Sequence, residues 1–261
     1  MIKAKKSLGQ NFLIDEKILE KITNSTDIYN KIILEIGPGT GNLTSYILKK
    51  NPKKMFVIEK DNELASDLEK KFNNQITIIN EDILRYDLKS LSDKDLVIFG
   101  NLPYNISSQI LANFIYYSYS EYSYKKLVLM FQKEVADRIL AEENSKNYGR
   151  LSIFSSWKLN IKKIMDINPS SFFPKPKIMS SLLIFEPKIN YVKFKNSKNL
   201  EHITNVFFNQ RRKMIKKPLN ILFKDTNKVI DELDLDINLR PQNLKKDTFY
   251  KICSIYEKLT N

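Results

Sequence analysis

The chain has one cysteine, Cys253, and one histidine, His202, in 261 residues. A single thiol excludes a disulfide framework and any zinc site built from several cysteines. A lone histidine, outside the strand-rich part of the sequence, speaks against His-based acid–base chemistry and a Ser-His-Asp triad, and reads as a surface residue. Long apolar runs are missing too: nothing approaches a membrane span, and no signal-peptide core follows the basic start. Internal repeats, low-complexity tracts and coiled-coil stretches are absent. The expectation is a cytoplasmic, monomeric protein with no metal and no membrane partner.

What is present is ordinary in amount and uneven in place. Hydrophobic residues make up 42% and charged residues 28%, enough for one α/β domain and a small appendage. Basic residues outnumber acidic ones by 43 to 30, a formal net charge of +13, which points to a polyanionic partner. Lys, Asn and Ile are abundant throughout and inflate that count, so the distribution is more informative. Residues 1–186 carry 27 basic and 22 acidic groups, whereas residues 187–261 carry 16 and 8. The excess is concentrated at the C-terminal end.

Residues 3–13 are a basic arm ending in Gln10-Asn11-Phe12-Leu13, either a loose tail or a strap over a site. Asp15 then precedes an amphipathic helix with Ile18, Leu19 and Ile22 on one face. The apolar run 31–36 reads as a buried strand, followed by Gly37-Pro38-Gly39-Thr40-Gly41-Asn42 and a helix over 42–50. Such glycines let a ligand approach the backbone. A dinucleotide fingerprint needs a small residue where Asn42 stands, and Glu35 before the loop does not favour a pyrophosphate. A second strand ends at Glu59, with Asp61 beyond. An acid about 20 residues past the loop is placed for ribose hydroxyls. A helix over 62–72 and a strand over 75–79 lead to Asp82, which can accept a bond from an adenine N6. Carboxylates at strand tips also serve as plain helix caps. Two on successive tips beside a glycine loop point to an adenosine-containing cofactor without phosphates.

The stretch that organises the rest is Gly100-Asn101-Leu102-Pro103-Tyr104-Asn105-Ile106-Ser107, after a buried strand ending at Phe99. Pro103 fixes its own φ and biases Leu102 away from helix, so the strand ends in a stiff turn. An amide, backbone carbonyls and an aromatic face then lie within four residues. They suit a flat heterocycle with an exocyclic amine, whose N–H groups the amide and carbonyl accept while the ring stacks. Ser107 caps a helix bearing Ile110, Leu111, Phe114 and Ile115. A strand over 126–131, helices over 132–140 and 150–157, and strands near 162–167 and 180–185 follow. Pro169, Pro174 and Pro176 hold an extended loop with Phe172 and Phe173, an aromatic there either walling a base pocket or packing under the loop. Residues 187–198 read as a linker between a sheet domain (1–187) and a small helical domain (188–261). Arg211, Arg212, Lys213, Lys216 and Lys217 fall within two turns of a helix that Pro218 breaks. With no acid among them, they read as a phosphate-binding helix.

Asn11-Phe12-Leu13, the Glu35–Gly39 loop, Glu59, Asp82, Gly100–Ser107, Phe131–Glu134, Tyr148–Ser152, Phe172 with Pro174–Lys177, and Phe208–Lys213 together resemble the KsgA (RsmA) family. The resemblance covers residues 3 to about 217. It implies a Rossmann-like α/β sheet and S-adenosylmethionine-dependent dimethylation of N6 on two adjacent adenines near the 3′ end of small-subunit rRNA, within the immature subunit. It also implies that Asn11, Leu13, Gly37, Gly39, Glu59, Asp82 and Asn101 contact the cofactor. Asn101 with the Leu102 or Pro103 carbonyl would hold the target N6, and Tyr104 and Phe172 would sandwich the flipped base. Ile178-Met179 depart mildly from the family pattern, without evident chemical consequence. An Erm-type large-subunit rRNA methyltransferase, a DNA adenine methyltransferase and a non-catalytic assembly factor are the competing readings.

Overall fold

The computed structural model describes residues 5, 9–91, 96–117 and 124–259. It divides into two compact units, one within 1–136 and 160–187, the other within 137–159 and 188–261.

The first unit alternates strand and helix. Its first half runs β1 (Phe12–Leu13), α1 (Glu16–Asn24), β2 (Ile32–Ile36), α2 (Asn42–Leu48), β3 (Lys54–Ile58), α3 (Asn62–Phe72) and β4 (Thr77–Ile79). Then come β5 (Val97–Asn101), α4 (Ser107–Tyr117), β6 (Lys126–Gln132) and the start of α5 (Lys133–Leu140). After α6 (Arg150–Lys158), β7 (Leu159–Ile167), β8 (Phe172–Phe173) and β9 (Ser180–Pro187) complete it.

Seven strands form one sheet in the order β4-β3-β2-β5-β6-β9-β7. The first five are parallel and β9 runs antiparallel to β6. Strands covered on both faces read as near-continuous apolar runs, and Ile33, Leu34, Val97, Ile98, Leu127 and Val128 are all buried. The chain leaves β2 towards β3 and β4, then returns to β5 on the other side. Such a reversal opens a crevice at the carboxyl ends of the two middle strands. Local signals behaved as the chemistry dictates: the Asp15 carboxylate caps α1 by accepting from the Lys17 and Ile18 N–H groups. The strand expected over 75–79 is shorter, because a 3-10 turn occupies Asn73–Gln75.

The second unit gathers α6 with α7 (Lys198–Asn209), α8 (Lys216–Leu222), α9 (Thr226–Leu233) and α10 (Lys246–Leu259). Here the structure corrects the domain division expected at 187/188. Residues 137–159 group with the later helices because their large side chains pack there. The Tyr148 hydroxyl donates to the Leu244 carbonyl at 2.9 Å, and Tyr250 donates to the Ile153 carbonyl at 2.8 Å. Trp157 stacks on Phe194 at 5.0 Å and donates to the Val192 carbonyl. The stretch 188–197 is thus a packed segment rather than a plain linker, its Lys195 and Asn196 N–H groups bonding Glu257.

A second correction concerns the basic helix. α7 ends at Asn209, Gln210–Arg212 form a turn, and α8 starts at Lys216 with Pro218 in its first turn. A proline lacks only a donor that a first-turn residue leaves unpaired anyway, so it begins a helix here instead of breaking one.

Candidate active site

A cavity of about 220 Å³ opens at the carboxyl edge of the sheet. Among the described residues it is lined by the carboxylates Glu59, Glu81 and Asp82, and more deeply by Glu35, against one lysine, Lys60. That balance is hostile to phosphates and hospitable to a nucleoside carrying positive charge.

The loop after β2 gives the cavity its open wall. Gly37 has φ +64°, its N–H donates to the Ile58 carbonyl at 2.9 Å, and a Cβ placed on it would meet no atom within 4 Å. Its missing side chain therefore leaves room for a ligand. Glu59 is 6% exposed and accepts from the Gly39 and Asp61 N–H groups at 3.2 and 2.9 Å. Burial raises its pKa against those bonds. Asp82 accepts from Lys60 at 2.8 Å and from the Leu84 N–H, and the ammonium holds its carboxyl below the usual range.

Glu35 lies deeper, on β2, where the Thr44 hydroxyl donates to it at 2.6 Å. Burial pushes its pKa from 4.5 up to about 8, assisted by Glu59 and opposed by Thr44 and Lys71. Between those values the folded chain binds more proton than the unfolded chain, so stability falls as pH rises through that window. From pH 6 to 8 the loss is roughly 2 kcal/mol. Glu35→Gln keeps an oxygen for Thr44 and removes the charge. Urea unfolding at both pH values should show this decline in the wild type and its absence in the variant. Parallel profiles would mean Glu35 titrates normally.

The arm closes over this site. Phe12 packs so closely on the loop that a Cβ on Gly39 would lie 2.8 Å from its ring. Asn42, the residue that spoiled the dinucleotide pattern, donates its amide to the Leu13 carbonyl at 2.8 Å. Lys5 Nζ and Gln10 Nε2 both bond the Asp61 carboxylate, which they hold below its usual range although burial opposes them. Apart from Lys5, the basic positions 3–8 lie outside the described residues.

Asn101 ends β5. Its Nδ2 donates to the Asn11 backbone carbonyl at 2.8 Å. A carbonyl partner fixes which end of the amide is nitrogen, so Oδ1 is the end left to accept a bond. Pro103 follows, its carbonyl taken by the Ile106 N–H at 3.2 Å. Tyr104 lies half-buried with its hydroxyl 2.7 Å from the fully buried Ser180 Oγ at the head of β9.

The structure thus brings Asn11, Leu13, Gly37, Gly39, Glu59, Asp82, Asn101, Leu102, Pro103 and Tyr104 around one cavity. Phe172 is a correction: it is 2% exposed, sits in the core with Leu13, Ile167 and Leu182, and does not line the cavity. The reason is its pairing. β8 lies antiparallel to β1 with Phe172 opposite Leu13, so both point inwards. Gln10 and Phe12 belong to the arm the sequence offers as a strap over a site, though without a role of their own; Asn42 and Ser180 are not among the expected site residues. Of these two, Asn42 left a trace as the odd residue in the loop and Ser180 left none.

Arg211, Arg212, Lys213, Lys216 and Lys217 belong to the second unit. Arg211 is committed within it, bonding the Lys146 carbonyl at 2.6 Å and Gln242 at 3.1 Å. Arg212, Lys213, Lys216 and Lys217 are exposed and, with Arg240, surround a shallow depression.

A Rossmann-like sheet with an acidic, glycine-lipped cavity at its switch point defines an S-adenosylmethionine-dependent methyltransferase. Among these, the chain belongs to the Ribosomal RNA adenine dimethylase family, whose profile matches residues 1–259. It is 60% identical over 258 residues to the "Ribosomal RNA small subunit methyltransferase A" of Pelagibacter ubique (strain HTCC1062), covering 99% of this chain and 98% of that one. The protein of the same description from Ehrlichia ruminantium (strain Gardel) is 40% identical, with 97% of each chain covered. A dimethyladenosine transferase from Plasmodium falciparum superposes with a TM-score of 0.81 at 28% identity, over 95% of this chain and 98% of that one. The 23S rRNA methyltransferase ErmE superposes at 0.68 with 18% identity over 95% and 99%, a likeness of fold alone.

Proposed function

We propose that this protein uses S-adenosylmethionine to dimethylate N6 of two adjacent adenines near the 3′ end of small-subunit rRNA, acting as a monomer in the cytoplasm on the immature subunit. The observation that carries the reading is the Asn101 amide, its nitrogen held by the arm and its oxygen left as an acceptor beside Tyr104. The names of the full-length relatives favour the small-subunit substrate over the Erm-type, DNA and non-catalytic alternatives.

The cofactor supplies an already activated methyl group on its sulfonium. The chain's own task is then to position the nucleophile and localise its lone pair. In the first transfer the Asn101 Oδ1 and the Leu102 carbonyl accept hydrogen bonds from the two N6–H groups, drawing the nitrogen towards tetrahedral geometry. Each transfer releases one N6 proton to solvent, and in the second a single acceptor holds the one N–H that remains. Leu102 is the better second acceptor because Ile106 already uses the Pro103 carbonyl. Tyr104, steadied by Ser180, offers its ring to the flipped base. On the cofactor side, Glu59 would accept from ribose hydroxyls and Asp82 from the adenine amine, while Gly37, Gly39, Asn11 and Leu13 would supply close backbone walls.

The test is incubation with labelled S-adenosylmethionine and undermethylated small subunits, followed by nucleoside mass spectrometry. N6,N6-dimethyladenosine at adjacent 3′-terminal positions is expected. Label appearing only in large-subunit RNA or DNA would move the substrate, and no transfer despite subunit binding would favour an assembly factor. The exposed cations of the second unit are proposed to hold rRNA phosphates. Arg212→Glu with Lys213→Glu should weaken subunit binding and flatten its salt dependence by about two counterions. A fall in cofactor affinity instead would make this turn structural.

A further inference from the structure

The β1–β8 pairing leaves one aromatic unexplained. Phe173 stands opposite Phe12, and residues directly opposite in an antiparallel pair project to the same face. Phe12 lines the cavity and packs on Gly39. Phe173 thus shares the face of Phe12, while Leu13, which also borders the cavity, and Phe172 lie in the core. Yet Phe173 is 60% exposed and lies beyond the cavity lining.

Its surroundings are selective. Residues 174–179 leave β8 and end at Ser180, whose hydroxyl touches Tyr104. One end of this loop is therefore anchored, through β8, on the cavity-lining β1 and the other on the aromatic wall of the site. Lys175, Lys177 and Ile178 are exposed along it, and no acid occurs between Asp166 and Glu186. Two acids border its ends, Asp15 accepting from the Ser171 hydroxyl and Asp166 from the Ser181 hydroxyl, the latter also paired with Lys133 and Lys163. Along the exposed stretch itself a ring followed by two cations suits a stacked base and its phosphates.

We propose that Phe173, with Lys175 and Lys177, forms a subsite for the nucleotide next to the target adenine: the ring stacks on the neighbouring base and the lysines meet its phosphates. This rests on the RNA substrate proposed above, and it adds a recognition element outside the base pocket itself. Holding the neighbour keeps the flanking strand registered while the target base leaves the stack.

The test compares full-length wild type with Phe173→Ala, Phe173→Leu and Phe173→Trp in methyl transfer to undermethylated small subunits. Phe173→Ala should raise the KM for subunits about tenfold, as loss of one base–aromatic stack does. The kcat should hold, as expected when binding common to ground and transition states is lost, and S-adenosylmethionine affinity should be unchanged. Phe173→Trp should behave as wild type and Phe173→Leu as the alanine variant. Lys175→Ala with Lys177→Ala should lower the salt slope of KM by roughly one. An unchanged KM in Phe173→Ala would overturn the subsite. So would full rescue by leucine, which would mark an apolar protein contact. Failure of wild type itself to methylate rRNA would overturn the substrate reading first, and the subsite with it. Unchanged cofactor affinity verifies that each variant is folded.

Discussion

Asn101→Ala should cut methyl transfer by about two to three orders of magnitude, the scale of losing one positioned polar group at a reacting centre, while subunit binding persists. The amide nitrogen is spent on the Asn11 carbonyl at 2.8 Å, so the oxygen is the one acceptor the side chain can offer N6. Alanine removes it and leaves the Asn11 carbonyl without its partner. Asn101→Asp separates the two roles. It keeps an acceptor towards the substrate but sets a carboxylate against the Asn11 carbonyl, so the arm should loosen and S-adenosylmethionine affinity should fall with kcat. Single-turnover transfer and calorimetric cofactor titration measure both quantities. Near-normal turnover in Asn101→Ala would remove the amide from the mechanism.

A second large effect is expected at the glycine loop, where two similar-looking residues should fail differently. Gly37 and Gly41 have φ of +64° and +73°, a conformation that costs an L-residue about 1 kcal/mol. A Cβ on Gly37 meets open space inside the cavity, whereas one on Gly41 would lie 2.5 Å from the Phe72 ring and 2.8 Å from Leu68. Gly37→Ala should therefore stay folded, losing about 1 kcal/mol of stability, yet bind S-adenosylmethionine at least tenfold more weakly, because its methyl occupies the cofactor's space. Gly41→Ala should lose roughly 2–4 kcal/mol through overpacking and backbone strain. Its remaining folded fraction should bind the cofactor well. Thermal unfolding with and without S-adenosylmethionine distinguishes the two: Gly41→Ala should keep the ligand-induced rise in Tm and Gly37→Ala should lose it. The reverse pattern would place the cofactor elsewhere.

Much of the site was readable from the chain because its chemistry is local. Strand, glycine loop and helix follow one another within seventeen residues, and each acid sits at the end of its own apolar run. Pro103 stiffens a turn whose useful groups are neighbours in sequence. Periodicity and turn chemistry act over such distances, so the parallel sheet, the acidic tips and the Asn101–Tyr104 constellation came from the sequence by itself.

Tertiary structure alone decided the rest, wherever a contact joined distant residues. Phe172 and Phe173 are equivalent in sequence. Only pairing with β1, about 160 positions earlier, sends one into the core and the other outwards. The Asn11 carbonyl orienting Asn101 and the Ser180 hydroxyl steadying Tyr104 span 90 and 76 residues. Arg211 looked like its basic neighbours until Lys146 and Gln242 proved to be its partners. Residues 137–159 joined the C-terminal helices through Tyr148, Ile153 and Trp157, whose partners all follow residue 187. The physical reason is common to all of them: local propensity fixes which face a residue can present, but the free energy that selects its partner comes from burial and hydrogen bonding between segments brought together only by the fold.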